Sequence, residues 1–434
     1  MLGYYLDLAV RSLKRNKVLT ALMIVTLALG IGASITTLTV LKLLSGDPLP
    51  GKSGQLFYAR VDPNPLEGYV PGQTKPDSIM TYTDAMNLLH AHRATRQAAM
   101  ALIDAKIDAR QPNEHPYFAD GVMTTSEFFA LFNAPFQYGG GWTADDDEGR
   151  ATLVVIAGFL NDKLFGGANS VGRIIRIDDR DFRIVGVLKH WAPQPRFYAT
   201  DLGGRDYGDG DAVFMPLKTA RSLDKGPQDT ECFGPVTDLK DLETAPCEWL
   251  GFWVQLDDRA AVASYRAFLD GYARQQAALG RFKRSETSLL DLMSWLSDQQ
   301  VVPNDAKLQT YLAFGFLLIC IVNTVGLLLA KCLRRSREIG VRRALGATRR
   351  DIFAQFMVEA AIIGVAGGVL GLALAELGLW GVRHQPAEYA GLAHLDVQMF
   401  FFTFVVALVA SLVAGLLPAW RACVVAPAPQ LKAA

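Results

Sequence analysis

Gly46-Asp47-Pro48-Leu49-Pro50-Gly51-Lys52-Ser53 matches, letter for letter, the glycine-rich loop whose backbone N–H groups and lysine cradle nucleotide phosphates. Such a loop works between a buried strand and a helix, with its N–H groups free. Here a long apolar segment precedes it, a strand pattern follows, and Pro48 and Pro50 each remove a donor. No nucleotide site is expected. His90 and His92 stand two apart, so on a helix they diverge, and no cysteine lies near to complete a metal set. Asp145-Asp146-Asp147-Glu148, after Gly139-Gly140-Gly141, lacks the alternating ligands and central glycine of a calcium loop and reads as a solvated turn. No Gly-x-Ser-x-Gly elbow, zincin helix or Cys–His pairing stands out, so neither catalysis nor a bound cofactor or metal is expected.

Two clusters remain. Arg337-Glu338-Ile339-Gly340-Val341-Arg342-Arg343-Ala344-Leu345-Gly346-Ala347 is basic yet patterned. Glu338 and Arg342 form an i,i+4 pair in the favourable order. Val341, Ala344 and Leu345 make an apolar face, and Gly346 is a natural helix terminator. Thr348 with Asp351 then writes a capping box for a following helix. The stretch reads as a short helix held at a membrane surface as a docking point for a protein partner. The second cluster is Cys232 and Cys247, in a turn-rich segment; in an oxidising compartment a disulfide between them is expected, contributing on the order of 3 kcal/mol.

The elements that must position these residues are apolar runs. The chain has 434 residues, no net charge and half of its residues hydrophobic. That is apolar for a soluble globule, and the excess lies in four runs: Val18–Leu44, Leu308–Leu333, Phe356–Trp380 and Met399–Pro418. A helix of roughly 20 apolar residues crosses a bilayer, and all four reach that length. Basic residues decide the orientation. Arg11, Lys14, Arg15 and Lys17 precede the first run; Lys331, Arg334, Arg335, Arg337, Arg342, Arg343, Arg349 and Arg350 separate the second from the third; Arg421 and Lys432 follow the fourth. The turn between the third and fourth holds only Arg383, with His384 and His394 nearby. Both termini and the basic loop are therefore expected in the cytoplasm. The first run is too long for a signal-peptide core and reads as an uncleaved anchor.

The fold class expected is thus an integral membrane α-helical protein of four spans, with a large α+β periplasmic domain between the first and second. Its parts are residues 1–45 (an amphipathic helix over Tyr4–Lys17, then the first span), 46–305 (the external domain) and 306–434 (the other spans, the basic segment and the tail). Within the external domain, strands are expected at Gln55–Val61, Ala151–Ala157, Val213–Leu217 and Trp249–Leu256, and helices at Ser78–His90, Gly158–Phe165 and Ala260–Leu279. Val171–Ile177 and Asp181–Leu188 flank Asp178-Asp179-Arg180 as a hairpin. The second span is expected to run unbroken into the basic segment. Glycines 364, 367, 368, 371 and 378 mark the third span as closely packed. Glu359 is expected to pair with neighbouring arginines, Glu376 and Lys42 to reach the outer interface, and Asn323 and Thr324 to bond between helices. Trp142, Trp191, Trp249 and Trp253 read as core.

With that topology the chain resembles the permease component of MacB-type (type VII) ABC transporters. Arg337–Arg350 is similar to that family's R-E-I-G-[IV]-R-R-A-L-G-A-[ST] segment, continuing into Asp351-Ile352 and Phe356–Ala360. Leu164-Phe165-Gly166-Gly167, Val171-Gly172 and Ile174–Val187 resemble its external core, Pro48-Leu49-Pro50 with Gln55-Leu56 its entry to that domain, and Pro418-Ala419, Arg421-Ala422 and Pro427 its C-terminal signature. The resemblance implies a dimer, with itself or a paralogue, of four-helix permeases, each with a porter-like lobe and a second lobe. It implies that Arg337–Ala347, supported by Arg349 and Arg350, dock a cytoplasmic ABC ATPase, which binds the ATP and magnesium. MacB's fused ATPase is not in this sequence, so a separate polypeptide is expected. Family-level partners include a periplasmic adaptor, an outer-membrane channel and membrane lipid, with no nucleic acid. The implied role is efflux or extraction of an amphiphilic or peptide substrate at the bacterial inner membrane. The alternatives are an FtsX-like regulator of a wall hydrolase and a LolC- or LolE-like lipoprotein-releasing permease.

Overall fold

The computed structural model describes residues 8–9, 11–13, 15–64, 75–108, 115–233 and 241–424. Parts of the expected amphipathic helix over Tyr4–Lys17, and the end of the C-terminal signature from Val425 onward, lie outside the described residues. The chain divides into two compact units, Met1–Ser45 with Val302–Ala434, and Gly46–Val301.

In the first unit four helices are long and apolar enough to cross a membrane: α1 (Lys17–Ser45), α9 (Asn304–Arg334), α11 (Arg349–Arg383) and α12 (Val397–Val424). Helix α11 packs on both α1 and α12, and α9 also packs on those two. Small residues permit the closest approaches. A methyl group added at Gly371 would lie 2.9 Å from Ile31 Cγ2, and one at Gly368 would lie 2.9 Å from Ala407 Cβ. The polar residues of the spans are satisfied differently from expectation. Thr324 donates back to Cys320 O within its own helix at 2.8 Å, and Asn323 is exposed on the helix surface. Lys42 meets Asp396 at 2.7 Å and Gln398 at 2.8 Å, and Glu376 accepts from Arg383 at 2.7 Å. Lys42 and Glu376 thus each find a partner of opposite charge inside the unit.

In the second unit, twelve strands among the described residues form one connected network. They are β1 (Leu56–Val61), β2 (Met80–Thr81), β3 (Arg96–Asp108), β4 (Tyr117–Thr124), β5 (Phe136–Gly139), β6 (Leu153–Ile156), β7 (Ile174–Ile177), β8 (Arg180–Leu188), β9 (Val213–Pro216), β10 (Glu231–Cys232), β11 (Cys247–Gln255) and β12 (Thr287–Asp291). The order is β12-β1-β11-β3-β4-β9-β6-β8-β5, with β2 and β10 on β11, and β7 bridging β3 and β8. Pairs β4–β9 and β6–β8 are parallel, the rest antiparallel, so the sheet is mixed. The helices beside it are α2 (Tyr82–His90), α3 (Phe128–Leu131), α4 (Ala144–Glu148), α5 (Gly158–Phe165), α6 (Leu217–Ser222), α7 (Arg259–Ala278) and α8 (Leu292–Asp298).

Local chemistry explains the joints. The β7–β8 turn is two residues, Asp178 and Asp179, at φ 49° and 63°, with Ile177 paired to Arg180. Both residues adopt the left-handed conformation that lets a two-residue loop match strand twist, and aspartate tolerates it. Thr81 caps α2 by accepting from the Asp84 N–H, so the expected helix from Ser78 starts four residues later, after strand β2. Trp249 and Trp253 on β11 are fully buried, and Trp295 on α8 stacks on Tyr58 with centroids 3.9 Å apart. Trp142 is buried too, while Trp191 stacks on Tyr198 at 5.1 Å.

Candidate functional site

The basic segment forms an elbow. Helix α9 stops at Arg334, Arg335 makes a turn, and α10 (Ser336–Ala344) begins at the next residue. The expected unbroken helix is therefore corrected: the break lies at Arg335, where no glycine or proline announces it. Its side chain is nearly buried and donates to both the hydroxyl and the carbonyl of Ser12, the carbonyl at 3.4 Å. These bonds tie the turn to the N-terminal segment.

Beyond α10, Leu345 closes the helix and Gly346 takes φ +100°, a left-handed conformation that glycine adopts without strain. Thr348 then starts α11 with a reciprocal capping box: its hydroxyl accepts the Asp351 N–H at 3.2 Å, and Asp351 accepts the Thr348 N–H at 2.9 Å.

The two faces of α10 differ. Ile339 is 5% exposed and packs with Cys332, Ile352, Phe356, Ala419, Ala422 and Cys423; Gly340 beside it is buried. On the other face Val341 is 47% and Leu345 82% exposed, with Ala344 and Gly346 also exposed, and Ala347 half-buried. Glu338 accepts from Arg342 at 2.7 Å and from Arg15 at 3.5 Å, and Arg342 also reaches Gln355 Oε1 at 2.9 Å. Arg343 bonds Cys423 O at 3.5 Å, while Arg337 is exposed. One face is thus clamped to the bundle, and the opposite face offers an apolar ridge flanked by guanidiniums.

Glu359 sits behind the elbow, 1% exposed. It pairs with Lys331 of α9, accepts from Ser12 Oγ at 2.7 Å and has Arg335 at 3.9 Å. The main counter-charge is a lysine of the second span, not the arginines of the loop. The signal was present: an ionisable residue inside an apolar run needs a partner, and both Lys331 and Glu359 are such residues. Nothing in the sequence pointed to Ser12.

The remaining candidates resolve by geometry. Lys52 of the phosphate-loop match bonds Ala130 O at 3.0 Å and Asn133 Oδ1 at 2.8 Å, and Ser53 donates to Leu49 O at 2.8 Å. These side chains pin a chain entry. Cys232 and Cys247 face each other on β10 and β11 and are joined by a disulfide. The acidic run is not a solvated turn. Thr143 caps it into helix α4, and the helical turn points Asp147 inward, 7% exposed, where it accepts the Lys218 N–H at 3.1 Å. His90 and His92 lie near it, and no group of three His, Cys, Asp or Glu among the described residues could hold a metal ion.

Residues 20–271 match the MacB-like periplasmic core domain, and residues 311–426 the FtsX-like permease C-terminal domain. The first match alone covers more than half of the chain, and the chain belongs to the MacB-like family of ABC permeases. Among relatives, the pyoverdine export ATP-binding/permease protein PvdT of Pseudomonas aeruginosa is 26% identical over 370 residues, covering 84% of this chain and 50% of the relative. The macrolide export ATP-binding/permease protein MacB of Nitrobacter winogradskyi is 28% identical over 315 residues, covering 72% and 43%. The chain spans about half the length of the curated relatives it matches. The crystal structure of the periplasmic region of MacB from Actinobacillus actinomycetemcomitans aligns with a TM-score of 0.37 at 12% identity, over 61% of this chain and 98% of that one. Four apolar helices and a MacB-like periplasmic domain fit an inner-membrane protein.

Proposed function

We propose that this chain is the permease of an export system, one of a pair, whose elbow receives an ATP-hydrolysing partner at the cytoplasmic face. The partner holds the ATP and magnesium. Its motion passes through α9 and α11 to the domain between the first two spans, in the periplasm, which moves an amphiphilic or peptide substrate. Export is the activity in the printed names of PvdT and MacB, and it is the reading those relatives support.

The observation that carries the proposal is the exposed ridge of Val341 and Leu345 on a helix whose other face is fixed by Ile339. Large apolar side chains ringed by arginines at a membrane surface are a recurrent protein-docking arrangement, since a few desolvated anchors carry most of the affinity. The clamped face makes α10 stiff enough to transmit a push, and the few ionisable groups inside the spans give little support to a polar channel.

The test replaces Leu345 by Asp in the full chain, expressed with an ABC ATPase from the same genome. ATPase co-purification should fall at least tenfold, because a central apolar anchor is worth 2 kcal/mol or more, while the amount of permease in the membrane stays unchanged. The triple change of Arg342, Arg343 and Leu345 should abolish association. Undiminished co-purification in both would overturn the docking assignment.

A further inference from the structure

Beside the elbow, where α1 and α11 begin and α9 stops, the four-helix unit forms an open cavity of about 350 Å³. That volume falls within the range of small-molecule sites. Arg11 and Arg15 line it from the segment that leads into α1, Arg335 from the turn after α9, and Glu338 and Arg342 from α10.

The charges of this wall do not cancel. Among the described residues that line it, four arginines stand against one carboxylate, Glu338. That carboxylate already takes Arg342 at 2.7 Å and Arg15 at 3.5 Å. The other acid nearby, Glu359, is held by Lys331 and lies 3.9 Å from Arg335. Arg335 is 9% exposed, so water screens its charge weakly, whereas the Arg15 side chain is 73% exposed and reachable. Gathering like charges around one cavity is unfavourable by itself and favourable around an anion.

Residue type narrows the anion. All four cations are arginine, whose planar fork matches two oxygens of a phosphate better than an ammonium can. A metal ion or an amine would be repelled. A nucleotide would lack a stacking surface, since none of the described residues lining the cavity is aromatic. Position then favours a lipid as the carrier of the phosphate, because basic pockets between spans at a membrane surface suit anionic headgroups. Leu8 adds an apolar side chain to the wall. Just beyond Arg15, Val18 and Leu22 of α1 are 85% and 52% exposed, one turn apart on one helix face, where acyl chains can lie.

We propose that this cavity binds a phosphate group, carried as the headgroup of an anionic phospholipid. Arg11, Arg15 and Arg342 supply donors, and Arg335 adds a nearly buried charge. A lipid held there joins the N-terminal segment to α10 and so braces the elbow. Which leaflet supplies it follows from the orientation proposed above; the chemistry of the cavity depends neither on that orientation nor on the docking partner.

The experiment titrates the full chain, in a neutral detergent, with phosphatidylglycerol and phosphatidylcholine, and native mass spectrometry counts the bound lipid. The two share a phosphodiester and differ in the choline cation. Saturable binding of phosphatidylglycerol should be at least tenfold tighter than that of phosphatidylcholine. Arg11→Gln combined with Arg15→Gln should weaken it at least tenfold, whereas Lys17→Gln, at an exposed cation outside the cavity, should leave it unchanged. Arg342 is left intact because it also flanks the docking ridge, and ATPase co-purification with the double variant should match the parent. On the wild-type chain, phosphatidylglycerol bearing a diazirine beside its phosphate should label peptides of the N-terminal segment or α10. Inorganic phosphate separates the two sources of the group: failure to displace the lipid supports the headgroup, and displacement at millimolar concentration assigns the cavity to a soluble phosphate and overturns the lipid. Equal binding of the two lipids, undiminished binding in the double variant, or labelling confined to other peptides would overturn the proposal. Lost co-purification with lipid binding intact would overturn it as well, by placing these arginines in the interface with the ATPase.

Discussion

Glu248 shows how much one buried group can set. It lies on β11, 0% exposed, and neither carboxylate oxygen has a hydrogen-bond partner. Burial, reinforced by Asp77, Glu231, Asp62 and Asp84, pushes its pKa up to about 10. The folded chain therefore keeps this proton at neutral pH, whereas an unfolded chain releases it near the ordinary glutamate value. Between those two values the native state binds more protons, so stability falls as pH rises, by at most about 1.4 kcal/mol per pH unit from this group. Glu248→Gln removes the titrating proton and keeps the shape. Thermal midpoints of the variant should decline less between pH 6 and pH 9 than those of the parent, and the variant should be the more stable at pH 9. Parallel profiles would show that Glu248 is ionised in the folded state.

At the scale of elements, the elbow is held by a buried ionic knot linking α9, α11 and the N-terminal segment through Lys331, Glu359, Arg335 and Ser12. Such a knot costs desolvation to build and far more to break halfway. Glu359→Gln strands Lys331 without its counter-charge and should destabilise by about 3–5 kcal/mol; Lys331→Met should cost a similar amount. The double variant removes both charges and should recover most of the loss, which unfolding in detergent measures as a coupling between the two sites. Additive losses would contradict the pairing. Elements of this kind were unevenly legible. The four spans, the Asp178–Asp179 turn and the Thr348–Asp351 cap are written in apolar length and local hydrogen-bonding chemistry, which act over a few residues. Strand β3 was missed: Gln97-Ala98-Ala99-Met100-Ala101-Leu102 is rich in helix formers, and both faces are buried, so no alternation betrays it. Its state is imposed by β11 on one side and β4 on the other. The turn at Arg335 and the inward aim of Asp147 were hidden because each is tied to a residue distant in sequence: Ser12 for one, Lys218 for the other.

Across the whole molecule, docking and transmission are carried by different contacts, and they can be separated. The elbow keeps its own small core of Cys332, Ile339, Ile352, Phe356, Ala419, Ala422 and Cys423. Further along α11, Gly371 lets that helix lie against α1, where an added methyl would already meet Ile31 Cγ2 at 2.9 Å and Ala28 O at 3.3 Å. Leucine at Gly371 must push the two helices apart, at a cost of about 1–3 kcal/mol for overpacking. Because the elbow's core does not include Gly371, Gly371→Leu should lower the thermal midpoint of the purified permease while the ATPase still co-purifies with it. If α11 is the rod that carries the partner's motion, coupling suffers even though docking survives: ATP hydrolysis in the reconstituted complex should no longer respond to the permease as it does with glycine present. Loss of co-purification in Gly371→Leu would mean instead that the elbow's shape depends on the packing of α11 along its length, and that docking and transmission are one contact system.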